Sequence, residues 1–315
     1  MTRRWSSKGG AFYPSREGQP PPMSFFERDR PAAGGATLGL ALDRLALLLR
    51  GLPDDLAGFM RQRYGSYVSD LVDAEAADLV VDASTDPTPY FIEPPSEPEF
   101  NPVWIACDGT LVRYRGYILA GWFDTRARRG AVVLGTGTHE PAPRALENYI
   151  RCAVAWCAAE RGGALVHGAS AVRDGKGYLF FGESGAGKST LSEVNRRAAV
   201  VSDDLSLLLP RTGGGLDLVG SPFRGTYEGG DPVVGRFPLA AAFRIVKAPQ
   251  AAVRPARRAV IFGQLVGNLA FVAEAFGSRP DLFERVEHAF AGVPLHHLEF
   301  RKDDSYWDAI DAAGL

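Results

Sequence analysis

The chain has 315 residues, 46% of them apolar and 23% charged, with a formal net charge of −2. That is the balance of a folded globular protein long enough for two domains, and it excludes the strong global field that collects nucleic acid or an anionic membrane surface. Three cysteines, Cys107, Cys152 and Cys157, are too few and odd in number for a disulfide framework; they point to a reducing, cytoplasmic setting.

In chain order, residues 1–36 are rich in Pro, Gly and charge and read as a poorly ordered arm. They lack the apolar centre of a signal peptide. Residues 37–142 read as a small α+β domain. It opens with helical patterning at 38–49 and 56–64. The apolar run 38–52 is interrupted by Asp43, Arg44 and Arg50 and is too short to span a bilayer. Strand-like runs follow in "ADLVVDAS", "VWIACD", "LVRYRGYILAGWF" and "GAVVLG". The Pro-rich "DPTPYFIEPPSEPEFNP" between them is loop or edge. Residues 143–315 form the second domain. A helix over 143–161 repeats Leu146, Ile150, Val154 and Ala158 every four positions and ends at Gly162-Gly163. Cys152 and Cys157 lie in it and read as core thiols. Strands then dominate to about residue 248, and the last part is helical around 259–276 and 280–290. "PLHHLEF" reads as a strand with one histidine ring buried and one exposed, and "SYWDAIDAAG" as a terminal turn or helix.

The chemistry concentrates at Gly182-Glu183-Ser184-Gly185-Ala186-Gly187-Lys188-Ser189, followed by Thr190, a full match to the pattern G-x-x-x-x-G-K-[ST]. Glycines let the backbone bend until several N–H groups converge on phosphate oxygens. Lys188 supplies a point charge to the outer phosphates, and the Ser189 hydroxyl is a ligand for Mg²⁺. An apolar strand precedes the motif and a helical run follows it, as the motif requires.

Fifteen residues beyond Lys188, "AAVVSDD" sets Asp203 and Asp204 at the end of an apolar strand, where an acid can hold Mg²⁺ or take a proton from an attacking hydroxyl. The short interval predicts that this strand lies close beside the loop strand. Upstream, "ALVHGASAVRDGKGYLFF" reads as a hairpin turning at Asp174-Gly175. That hairpin brings His167 toward the loop. His139, His288, His296 and His297 have no comparable context. Arg254, Arg257 and Arg258 form a modest basic cluster, suited to a solvated loop or to an acidic substrate.

His167-Gly168, then "GYLFFGESGAGKST", then "SDD", in this order and spacing, resembles the catalytic domain of the HPr kinase/phosphorylase family, over about residues 145–310. The likeness is greater to the shorter bacterial HPr-kinase-like proteins found beside peptide-modifying gene sets. The resemblance implies an α/β phosphate-loop kinase domain of the type shared with phosphoenolpyruvate carboxykinase, preceded here by a smaller N-terminal α+β domain. It implies ATP and Mg²⁺ as cofactors, ATP phosphates on residues 182–190, and His167 in the active site. It also implies Asp204 as base toward an acceptor serine hydroxyl, Asp203 assisting with metal or orientation, Glu228 as a metal ligand, and self-association. The sequence around Glu228 departs from the family pattern, no counterpart of the phosphorylase signature is found, and the N-terminal region does not match the family's regulatory domain. Phosphoenolpyruvate carboxykinases are much longer. "LSGGQ" and "NKxD" patterns are absent, against an ABC-type ATPase or a translational GTPase. The expected activity is transfer of the γ-phosphoryl of ATP to a hydroxyl of a peptide or small protein. A small-molecule acceptor and a non-catalytic nucleotide-binding module are the alternatives.

Overall fold

The structure is a computed structural model that describes residues 35–95 and 103–315, together with the backbone of two short strands, β1 (Arg3–Trp5) and β2 (Tyr13–Pro14). The rest of the expected arm and the end of the Pro-rich stretch lie outside the described residues. The fold is mixed α/β, and the chain divides into two compact units at Cys157/Ala158.

In the first unit, β3 (Ala36–Leu42) and β4 (Leu45–Leu52) form an antiparallel hairpin. This corrects the expected helix over 38–49. Leucine occupies so many positions that a helical period can be drawn through the run. The side chains follow period two instead: Leu38, Leu40, Leu42, Leu45, Leu47 and Leu49 are all fully buried. Asp43-Arg44 are the turn, with Asp43 at φ 55°. The helix α1 (Asp54–Tyr64) forms as expected, with Asp54 and Asp55 in its first turn and Arg61 and Arg63 in its last, complementing the helix dipole. Next come β5 (Leu79–Thr85), β6 (Val103–Asp108), β7 (Leu111–Arg115), β8 (Leu119–Asp124) and β9 (Arg129–Leu134). Among the described residues the sheet order is β2-β1-β6-β7-β8-β9-β5-β4-β3. The helix α2 (Ala142–Glu160) follows; residues 145–159 are buried on every side, Cys152 and Cys157 among them.

The second unit is built on β10 (Ala164–Arg173), β11 (Lys176–Phe181), β12 (Ala199–Ser202), β13 (Leu205–Pro210), β14 (Leu216–Val219), β15 (Arg236–Lys247), β16 (Ala252–Pro255) and β17 (Leu295–Phe300). The pairings β10–β13–β14–β15–β11–β10 run in a closed circuit, so none of these five strands is left as a long open edge. β10 and β11 form the expected hairpin. Its turn residues Asp174 and Gly175 have φ 52° and 73°, the left-handed pair that matches strand twist. The parallel pairings β11–β15 and β15–β17 set three strand ends side by side. One face of these strands carries an aromatic core in which Phe180 stacks on Phe243 and meets Tyr306 and Trp307 edge-on. The helices are α3 (Lys188–Val194), α4 (Arg258–Val266), α5 (Pro280–Phe290) and α6 (Tyr306–Ala312). The helix expected over 259–276 stops at Val266. Phe271 then takes φ 64° and a short 3-10 turn covers Ala273–Gly277.

Candidate nucleotide and acceptor site

The phosphate-loop motif occupies the turn from β11 into α3. Gly185 and Gly187 have φ 75° and 112°. A β-carbon on Gly187 would also stand 3.2 Å from the Phe300 ring, so both backbone angle and space demand glycine there. Lys188, 8% exposed, folds back into the loop: its Nζ donates to Gly182 O at 2.9 Å and Glu183 O at 3.1 Å. Burial pushes the Lys188 ammonium below the usual lysine range, and the charge of Asp204 pulls it part of the way back. Ser184 and Ser189 are exposed at the mouth of the loop, with Thr190 half-buried behind them.

The aspartate strand β12 pairs with β10, not with β11. The expected neighbour of the loop strand is therefore one strand further away, with β10 between them. Asp203 and Asp204 occupy the bend that follows β12, and their carboxylates meet different partners. Asp203 is 3% exposed, and its carboxylate accepts the backbone N–H groups of Gly225, Thr226 and Tyr227 at 2.7, 3.0 and 3.1 Å. Asp204 faces the other way. Its backbone carbonyl accepts from Gly168 N–H at 2.9 Å, and its Oδ1 lies 3.3 Å from His167 Nδ1. The His167 backbone N–H in turn donates to Asn268 O at 2.7 Å. The structure thus sets His167 beside Asp204 and pairs the next residue, Gly168, with Phe181, which leads into the loop that Lys188 closes. Ser202 Oγ ties the bend together: it donates to Phe223 O at 2.9 Å and accepts from the N–H groups of Asp204 and Leu205.

Glu228 is exposed in the loop that Asp203 anchors, one residue past Tyr227. The organiser of that loop, unremarked in the sequence, is Arg224. Its guanidinium donates to Val200 O and Val201 O of β12 and to Gly229 O, Gly230 O and Asp231 O. Gly225 is equally constrained, since a β-carbon there would meet Asp203 Oδ2 at 2.9 Å and Asp204 Cβ at 3.0 Å. The sequence signal for these two was the dipeptide Arg-Gly beside a strand end, which carries no period. Arg244 was missed as well. It is a lone charge inside the apolar run of β15, in register with Phe181 at the foot of the loop.

Elsewhere, His296 and His297 are both half-buried, which corrects the expected split between one buried and one exposed ring; burial lowers both below the usual histidine range. His139 and His288 are exposed. In the basic cluster, Arg254 pairs with Glu299 at 3.1 Å and Arg258 donates to Val293 O and Phe290 O. Among the described residues no group of three or more His, Cys, Asp or Glu side chains is arranged to hold a metal ion, and no helix is long and apolar enough to cross a membrane. No family model and no curated protein matches the chain.

Proposed function

We propose that the protein is an ATP- and Mg²⁺-dependent kinase that transfers the γ-phosphoryl group to a hydroxyl, most fittingly a Ser or Thr of a peptide or small protein. The observation that carries this reading is the convergence of the buried Lys188, at the base of a full phosphate-loop motif, with Asp204 and its neighbour His167. A switch or motor pairs the loop with an acid for Mg²⁺ and a group that orients water. A carboxylate with a histidine beside it, next to the loop lysine, is the equipment of group transfer.

The loop fits a nucleoside triphosphate on its own chemistry. Gly182 O and Glu183 O now hold the Lys188 ammonium, and phosphate oxygens are stronger partners for it. For Mg²⁺, the exposed Ser189 would offer its hydroxyl as a ligand. A Mg²⁺ that takes most of its ligands from phosphates and water needs one or two protein groups, not a closed cage. When bound, the ion would neutralise charge across the β- and γ-phosphates. Asp203 has three amide partners for its carboxylate, so its part in this reading is to hold the 224–231 loop. Asp204 accepts the proton of the attacking hydroxyl as the new P–O bond forms and the γ-phosphorus–oxygen bond to ADP breaks. His167 orients the Asp204 carboxylate.

The finer family expectation, an HPr-kinase-like domain, is supported by the order His167, loop, Asp203-Asp204. A hydroxylated metabolite as acceptor would use the same machinery. Asp204→Asn should lower the rate of phosphoryl transfer by about 10²–10⁴-fold while calorimetry finds ATP affinity within a few-fold of the parent. Transfer near the parent rate would remove Asp204 as the base.

A further inference from the structure

An acid in a phosphate-binding loop is a liability, because it repels the anion that the loop gathers. Glu183 is such an acid, 86% exposed, and its Oε1 lies 3.2 Å from Arg244 Nη2. The Arg244 side chain is only 21% exposed. Among the described residues that carboxylate is its one hydrogen-bond partner. A guanidinium carries five donors in a planar fork, and an exposed carboxylate on a mobile stem is a weak partner. Next to Arg244 across the parallel pair β15–β17 stands His297, whose Nε2 is buried without a hydrogen-bond partner. Burial and the nearby Arg244 both disfavour its protonation, so it brings no charge that would compete for an anion. Arg244 stands in register with Phe181, the last residue of β11 before the phosphate loop.

We propose that Arg244 is a nucleotide-binding residue, and that Glu183 is its placeholder. When the triphosphate enters the loop, the guanidinium leaves Glu183 and takes a phosphate oxygen. The pair thus gives the half-buried guanidinium a counter-charge until nucleotide arrives and then releases it to the anion. This rests on the nucleotide-binding reading of the loop, and it adds to Lys188 a second cation from a different strand.

The test is calorimetric binding of ATP, ADP, AMP and inorganic triphosphate to the full chain and to Arg244→Gln, Glu183→Gln and the double variant, with Lys188→Ala as the control for the loop. Arg244→Gln should weaken ATP and inorganic triphosphate about tenfold. Glu183→Gln should tighten both several-fold, and that gain should vanish in the double variant. Losses for ATP, ADP and AMP with none for inorganic triphosphate would place the contact on the nucleoside side and overturn the phosphate assignment. Unchanged binding in Arg244→Gln, with Lys188→Ala impaired, would overturn the role of Arg244 and leave the loop reading intact. If the parent chain binds neither ATP nor triphosphate, both fall together. Circular dichroism of each variant separates a misfolded protein from a lost contact, and Arg244→Lys, which keeps the charge, should recover part of the affinity.

Discussion

Asp203 and Asp204 are adjacent and of one residue type, yet their carboxylates meet different partners. Asp203, itself buried, accepts three backbone N–H groups of the loop that begins at Arg224. Asp203→Ala leaves those donors without partners and should cost about 3 kcal/mol in denaturant unfolding; a loss below about 0.5 kcal/mol would mean that water replaces the carboxylate at no cost. Gly225→Ala tests the same contact from the other side, because its β-carbon would meet Asp203 Oδ2 at 2.9 Å. Lys188 makes a pH prediction. Its folded value lies below the ordinary 10.5 because of burial. Between the two values the unfolded chain holds more protons than the folded one, so this group's contribution to stability rises with pH across that window. Nucleotide phosphate favours the charged ammonium, so ATP affinity should fall as pH rises through the lowered value. It should begin to fall before an ordinary lysine titrates. Lys188→Arg should flatten that profile, and a flat profile in the parent would contradict the assignment. The motif residues were legible in the sequence because their spacing is fixed by local chain geometry. Arg224 and Arg244 were not, because Arg224 reaches across to β12 and Arg244 to the loop after β11, contacts that no sequence spacing marks.

At the scale of elements, the β10–β11 hairpin was legible because Asp174-Gly175 announces a two-residue turn between apolar runs. The pairing of β10 with β13, in register at His167 and Leu205, is what sets His167 next to Asp204. The β3–β4 hairpin was misread as helix because a leucine-saturated run satisfies both periods, and only Asp43-Arg44 marks where the chain reverses. The pairing of β12 with β10 was hidden for another reason. A 15-residue interval limits how far apart two strands are, not which edge each takes. The helix α5 makes its own prediction. Arg279, with a side chain only 12% exposed, bridges Asp281 in its first turn and Glu160 at the end of α2. Arg279→Ala should cost about 2 kcal/mol, the range of charge-assisted hydrogen bonds, without changing ATP affinity. Unfolding with and without nucleotide measures both quantities; a change in affinity would tie α5 to the site.

At the scale of the molecule, the second unit assembles the site from three sources. β11 supplies the loop, the β10–β11 hairpin supplies His167, and the bend after β12 supplies the aspartates. The first unit adds a mixed sheet with α1, and none of its residues enters the proposed chemistry. The α/β class was legible in the alternation of apolar strands with helical segments, whereas the closed circuit of strands was not, since it depends on which long-range edges meet. The proposed function requires that the γ-phosphoryl leave ATP for a hydroxyl and not for water. The most direct measurement follows γ-¹⁸O-labelled ATP with Mg²⁺ over a panel of peptides, small proteins and hydroxylated metabolites. Mass spectrometry then scores label in the acceptor against label in free phosphate. The expected result of a hydroxyl kinase is acceptor phosphorylation that depends on Asp204 and Lys188, with little free phosphate. Release of labelled phosphate to water alone, unaffected by Asp204→Asn, would contradict it.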